Sequence, residues 1–179
     1  MFAIIDLEWT SWKNSIQRNW SFCWEKKEII QIGAIKFNNK NYIKKKNLIV
    51  RPKINQNLSC YVQKLTGISQ FKINTTSTTF EKAIFEINIF YNNIDIIYCN
   101  GLDKEILIEN CKINNLIQPK FIKKIKNISL RISDKLGEKN KHFESGNLND
   151  KIGLKKLKKH NALNDCENIM NFIKKFNIY

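Results

Sequence analysis

The segment Phe2-Ala3-Ile4-Ile5-Asp6-Leu7-Glu8 sets the strongest constraint on the fold. It is apolar at Ile4, Ile5 and Leu7, so a strand built from it is buried on both faces and reads as central. Residues two apart on a strand share a face, so Asp6 and Glu8 project together while Leu7 points the other way into packing. Two carboxylates inside a central strand are costly unless a cation neutralises them. The bland alternative is an edge strand with solvated acids, and apolar residues on both faces argue against it.

Three more residues extend the pattern. Asp103 follows the apolar run Ile94 to Cys99, in Asn100-Gly101-Leu102-Asp103. In isolation it reads first as an acid at a helix start, favoured by the helix dipole, and only the combined set makes it a ligand. His160 and Asp165 lie five residues apart, about 500° on a helix, and would not share a face there. A better arrangement puts His160 in the loop before a helix and Asp165 in its first turns. Ala162, Leu163, Ile169, Phe172, Ile173 and Phe176 would then supply the buried side. Four carboxylates form an oxygen-only ligand set suited to hard divalent cations. A histidine beside them takes a proton from an attacking water. The set as a whole reads as a site for phosphodiester hydrolysis with two metal ions. His142, in a polar stretch, reads as solvated.

The remaining elements follow from periodicity. Residues 28–37 and 42–50 read as second and third strands, joined by a turn at 38–41, and Pro52 stops the third. The first three strands form an antiparallel meander. Residues 58–65 have helical spacing, with Ser59 as cap and Gly67 as stop. A helix opens at Thr78 or Thr79 and runs to about Tyr91. Residues 94–99 form a buried strand, 103–115 a helix, and 121–128 hold the last strand. Helices are expected over 129–136, 150–158 and 162–176, with a loop at 137–149. The outcome is a mixed α/β sheet whose acids fall at strand ends and helix starts.

Composition bounds the rest. A chain of 179 residues with 42% hydrophobic content fits one domain, 1–179, with a sizeable core. No run approaches 18 apolar residues, so no membrane span is expected, and the N-terminus reads as a core strand instead of a signal peptide. Five scattered cysteines without a CxxC pair fit neither a zinc site nor a disulfide framework, and a reducing cytoplasm is the expected location. The formal net charge of +15 has two readings. One is a polyanionic partner, nucleic acid foremost. The other is an AT-rich genome, which loads any chain with Lys, Asn and Ile.

Taken in order, the motifs resemble the DEDDh branch of the ribonuclease T and DNA polymerase III epsilon exonuclease superfamily, over nearly the whole chain. Ile5-Asp6-Leu7-Glu8-Trp9-Thr10 is similar to the first exonuclease motif, and Glu28 to Ala34 to the second strand. Asn100-Gly101-Leu102-Asp103 matches the second motif at its aspartate. His160-Asn161-Ala162-Leu163-Asn164-Asp165 matches the third, with the histidine that names the branch. Leu58-Ser59 followed by Leu65-Thr66-Gly67-Ile68 is similar to the histone-mRNA and small-RNA exoribonuclease group. Two departures stand out: Asn164 replaces an aspartate often found there, and no glycine-bearing turn precedes His160. Residues 11–24, with Trp12, Trp20, Phe22 and Trp24, occupy a variable loop and serve equally as packing or as a surface for bases.

The resemblance implies a ribonuclease H-like mixed five-stranded sheet, three antiparallel strands then parallel ones, flanked by helices. It implies removal of nucleotides from the 3′ end of single-stranded nucleic acid, RNA before DNA, releasing nucleoside 5′-monophosphates. Asp6, Glu8, Asp103 and Asp165 would hold two Mg²⁺ or Mn²⁺ ions, with His160 as general base. Thr10 and the Leu7–Trp9 backbone would meet the terminal sugar; Leu65, Thr66 and Ile68 would lie at the last base. The alternatives are a DNA-directed exonuclease or proofreading subunit, and a catalytically idle nucleic-acid-binding module of the same fold.

Overall fold

The computed structural model describes residues 1–38 and 43–178. The turn expected at 38–41 lies, past Asn38, outside them. The chain runs β1 (Phe2–Trp9), β2 (Ile29–Phe37), β3 (Ile43–Ile49), α1 (Cys60–Thr66), α2 (Gln70–Thr76), α3 (Phe80–Phe90), β4 (Ile97–Cys99), α4 (Asp103–Ile113), β5 (Ile125–Asn127), α5 (Ser129–Lys135), α6 (Leu148–Lys151) and α7 (Ala162–Phe176). These five strands form one sheet in the order β3-β2-β1-β4-β5. β1 pairs antiparallel with β2 and β2 with β3, whereas β4 runs parallel to both β1 and β5. The mixed sheet expected from the sequence is therefore present, with the acid-bearing strand at its centre. No helix among the described residues is long and apolar enough to cross a membrane.

The two faces of β1 bury against different layers. Ala3, Ile5 and Leu7 join the core formed with Phe80, Ala83, Ile84 and Ile87 of α3 and Ile106, Leu107 and Cys111 of α4. Ile4 faces the other way, into the cluster with Ile35, Phe37, and Cys166, Ile169, Phe172 and Ile173 of α7. The strand period places Asp6 and Glu8 on this second side, toward α7.

What sets α7 against the sheet is a missing side chain. A Cβ on Gly33 of β2 would overlap the Ala162 carbonyl, so only glycine lets the start of the helix sit this close. Gln31, two residues earlier on the same face, accepts the Ala162 N–H at 3.1 Å and donates to Asn47 at 2.8 Å. Gly33→Ala is expected to push residues 162–165 away from the sheet. Overpacking costs about 1–3 kcal/mol, and the displaced helix start carries a motif aspartate. A thermal melt together with a hydrolysis rate checks this: the variant stays folded with a lowered Tm and loses rate more steeply than stability. A wild-type rate would show that this contact does not position the site.

The strand expected over 94–99 is confined to Ile97–Cys99, the loop expected over 137–149 holds a 3-10 turn at Ser145–Asn147 and the start of α6, and other segments differ from the sequence expectation as well. Residues 121–128 split into a 3-10 turn over Lys120–Lys124, opened by Pro119, and a strand of three residues. The helix expected over 150–158 ends at Lys151; Gly153 adopts φ +75°, and residues 154–160 run without helix. In a helix, Lys155, Lys156, Lys158 and Lys159 would crowd like charges within one turn. The segment Gln70–Thr76, assigned no element from sequence, forms α2. Its Ile, Asn and Thr are poor helix formers. Ser69 caps it by accepting the Lys72 N–H, and Ile73 enters a small core with Ile30, Ile49, Leu58, Val62 and Ile68.

Candidate active site

The acids of the first strand and the last helix meet. Carboxylate oxygens of Asp6, Glu8 and Asp165 all lie within 4.8 Å of one another. All three residues are buried. They line a cleft of about 210 Å³ whose walls include Leu7, Trp9, Leu65 and His160. The β1–β2 register slips between Glu8 and Trp9, a bulge that ends regular pairing at the cleft.

Asp165 is placed by the capping of α7. Asn161 is the N-cap, and its side chain accepts the Asn164 N–H. The Asp165 carboxylate accepts the backbone N–H groups of His160 and Asn161, and Asn168 one turn on donates to its Oδ1 at 3.4 Å. This is a reciprocal cap, in which an acid inside the helix returns to the N–H groups that precede it. His160 turns the chain into the helix at φ +53°, a left-handed conformation that histidine tolerates better than most residues. The reversal that would otherwise call for glycine is thus made by the histidine itself. It leaves His160 half-buried in the cleft wall.

Asp103 arrives from the first turn of α4. Its Oδ1 accepts the Leu7 N–H at 3.0 Å, which ties it to β1 between the two strand acids. It stands outside the trio of converging oxygens, yet its charge raises the carboxyls of both Asp6 and Glu8. Burial is the first cause for all four acids. It takes Glu8 up to about 8, with Asp165 and Asp103 adding repulsion. Burial takes Asp103 and Asp165 to about 7 despite the N–H groups bonded to each. Asp6 rises well above the usual carboxylate range, through burial and then Asp103, Asp165 and Glu8, while a hydrogen bond with Ser145 opposes the shift. Burial pushes His160 the other way, below its ordinary value, so the imidazole is neutral near pH 7.

Of the other residues singled out from sequence, Leu7, Trp9 and Leu65 line the cleft. The Leu7 N–H is already committed to Asp103. Thr10 is turned inward, where its hydroxyl donates to the Lys26 carbonyl and accepts the Glu28 N–H. Thr66 caps its own helix end, donating to the Val62 carbonyl and accepting the Ile68 N–H. Ile68 is buried in the core beneath α1. These three are placed as latches and packing, off the cleft wall, because their polar atoms or apolar surface are already satisfied.

Several residues at the site gave no signal in the sequence. Ser145 reaches Asp6 from the polar loop, which is fixed by Asn100 donating to the Phe143 carbonyl and to Ser145 Oγ. His142, read from sequence as solvated, lies in the cleft wall with Tyr61, Ile16 and Trp20. Gln31 could have been found, because antiparallel pairing sets it opposite Glu8.

The donor set fits hard divalent cations. Its oxygens converge from buried carboxyls whose mutual repulsion, when they are ionised, a bound cation relieves. A testable stability pattern follows. Carboxyls raised in the fold bind protons more tightly there than in the unfolded chain. The stability they contribute is present at about pH 4 and is lost as pH rises toward 7 and 8, the folded values of Asp103, Asp165 and Glu8. In EDTA, Glu8→Gln should therefore gain Tm over wild type, by more at pH 8 than at pH 5. Mn²⁺ should raise the wild-type Tm and narrow that gap. A gap that stays constant with pH, or a Tm indifferent to Mn²⁺, would remove the acids from a shared cation site.

A mixed sheet in this order, with acids from β1, α4 and α7 at one end, defines a ribonuclease H-like exonuclease fold. Residues 3–173 match the family model RNase T, described as an exonuclease, and the chain belongs to that family. The nuclease domain of 3′hExo, a DEDDh family member solved bound to rAMP, superposes with a TM-score of 0.84 at 22% identity, covering 99% of this chain and 91% of that one. Cell-death related nuclease 4 gives 0.78 at 23% identity, over 99% and 64%. Exonuclease I of E. coli, in complex with a dA16 oligonucleotide, gives 0.71 at 12% identity, over 97% and 40%. The chain spans about three-fifths of a 3′-exonuclease solved in recognition of a histone mRNA stem-loop, which it matches at TM-score 0.84. Comparison with curated proteins by sequence finds no match.

Proposed function

We propose that the protein is a 3′–5′ exonuclease acting on single-stranded nucleic acid, RNA in preference to DNA, and releasing nucleoside 5′-monophosphates with two Mg²⁺ or Mn²⁺ ions. The observation that carries this reading is the convergence of Asp6, Glu8 and Asp165 in one cleft, with Asp103 bonded between the strand acids and His160 on the wall. An idle binding module has no use for buried acids that repel one another.

Asp6, Glu8 and Asp165, with Asp103 behind them, would hold the cations. Cations bound there would stabilise negative charge on both the attacking and the leaving oxygen. The chain's own groups do the rest. His160, neutral near pH 7, accepts a proton from the attacking water at an imidazole nitrogen. Trp9 and Leu65 offer apolar walls to the terminal nucleotide. Lys159, beside His160 on the cleft wall, brings positive charge to the phosphate side.

The RNA preference rests on the likeness of the Leu65-Thr66-Gly67-Ile68 stretch to the exoribonuclease group, and on a neighbour solved with rAMP. A protein separates RNA from DNA through the 2′-hydroxyl. The test is kcat/KM on 5′-labelled ribo- and deoxyribo-oligomers of one sequence, at one salt concentration, with Mn²⁺ and with EDTA. Labelled products that shorten from the 3′ end, faster for RNA and absent in EDTA, are expected. Equal rates or a DNA preference would overturn the RNA assignment alone. Full activity in EDTA would overturn the metal-ion reading, and shortening from the 5′ end the polarity.

A further inference from the structure

The segment between β1 and β2 is a surface loop with an interior. Glu25 is buried at its centre, where Arg18 pairs with it and the Ser15 hydroxyl donates to it at 3.4 Å. Trp20 Nε1 donates to the Thr10 carbonyl at 3.2 Å, and Asn55 fastens the far end by donating to the Trp24 carbonyl at 3.0 Å. From this anchored frame aromatic rings face outward. Phe22 and Trp24 stack at 5.7 Å and 23°, and each is about half exposed, at 50% and 48%. Trp12 meets Trp24 edge-on at 4.9 Å. A loop tied down this firmly has no folding reason to leave two stacked rings in water.

Charge says what covers them. Among residues 11–27 the only acid is Glu25, and it is buried and paired. The remaining charges, Lys13, Arg18, Lys26 and Lys27, are all positive. Arg18 lies 4.7 Å from the centre of the Phe22 ring, and Lys27 4.7 Å from that of Trp20. The same loop enters the cleft wall through Ile16 and Trp20, so the loop that carries the stacked rings also forms part of the site. Stacked rings with a guanidinium over one, on a basic loop that also walls a nuclease cleft, suit a flat, electron-rich group on a polyanionic chain.

We propose that Phe22 and Trp24 form an accessory platform on which an unpaired base of the substrate, upstream of the terminal nucleotide, stacks. This rests on the exonuclease reading and adds to it a reason for the enzyme to favour longer single strands. Base–aromatic stacking corresponds to roughly 5- to 150-fold in affinity.

The experiment scans a single abasic nucleotide along a 12-mer, in wild type and in Trp24→Ala. Trp24→Leu and Phe22→Leu serve as variants that keep apolar bulk and lose the ring. Two readouts are taken: kcat/KM with Mn²⁺, and equilibrium binding by fluorescence anisotropy in EDTA. One upstream abasic position should weaken both by 5-fold or more in wild type, and by nothing further once Trp24 is replaced. Abasic scanning of wild type needs no variant, so a misfolded mutant leaves the proposal open to refutation. Hydrolysis and binding insensitive to every upstream abasic position would overturn the platform and leave the exonuclease reading standing. Binding that depends on Trp24 in a protein that hydrolyses nothing would overturn the exonuclease reading and keep the platform. A dimer that dissociates on Trp24→Leu would assign the rings to a second copy of the chain and overturn the proposal.

Discussion

Asp103→Asn is expected to leave a folded protein that scarcely hydrolyses oligonucleotides. The substitution keeps an oxygen where Asp103 Oδ1 accepts the Leu7 N–H, so the tie between α4 and β1 survives. What disappears is one negative charge among four buried carboxyls. Asp103 raises the carboxyls of Asp6 and Glu8, so the cation-free variant should melt no lower than wild type and, near pH 8, higher. The same charge is part of what attracts cations, and its loss should weaken the Mn²⁺-dependent rise in Tm. Hydrolysis should fall well below a tenth of the wild-type rate, a barrier increase above about 1.4 kcal/mol. Melts in EDTA and Mn²⁺, paired with initial rates, make the measurement. A folded variant above a tenth of wild-type rate would take Asp103 out of the chemistry and leave it as a helix-start acid.

Replacing His160 should cost about as much by another route. A general base contributes roughly 10²- to 10⁴-fold to rate, and kcat should fall by that amount with the Mn²⁺ effect on Tm retained. Asn is the better replacement, because position 160 sits at φ +53° and Asn accepts that conformation where Ala is strained. His160→Ala then reports the combined loss. Burial holds the His160 pKa below its usual value, with the Lys159 charge acting the same way and Glu144 opposing. The neutral base is therefore present through pH 7 and is lost on acidification, and the wild-type rate should fall on the acid side of about pH 6.5. A near-normal His160→Asn rate, with a profile flat between about pH 5.5 and 8, would leave His160 as a turn residue only.

How much was legible in the sequence depended on the distance over which the deciding contact acts. Asp6 and Glu8 on one face of a central strand followed from the two-residue period and the apolar residues around them. α7 followed from its apolar stripe and from Asn161, and its observed limits, Ala162–Phe176, lie where periodicity put them. Ser59, Thr79 and Gly67 mark helix ends by local chemistry, and they do so here. What sequence did not disclose was set by tertiary contact. α2 exists because Ile73 has a core to fill, against the preference of its own Asn and Thr. Ser145 and His142 reach the cleft because Asn100 holds their loop, a contact across more than 40 residues. Thr66 and Ile68, which the motif resemblance puts beside the last base, lie at the end of α1 and in the core beneath it, a placement that their own sequence neighbourhood does not disclose.

The site also has a consequence in time. Asp6 and Asp165 are separated by nearly the whole chain, and their meeting depends on Gly33 receiving the start of α7. A growing chain on the ribosome, or a fragment ending before residue 160, carries the strand acids without the helix that completes them. Closing so long a loop is entropically costly and slow compared with forming any single helix. The cleft is therefore expected to be among the last parts of the fold to form. Nuclease activity would then emerge only after α7 docks, and a chain whose synthesis is unfinished would carry an incomplete site.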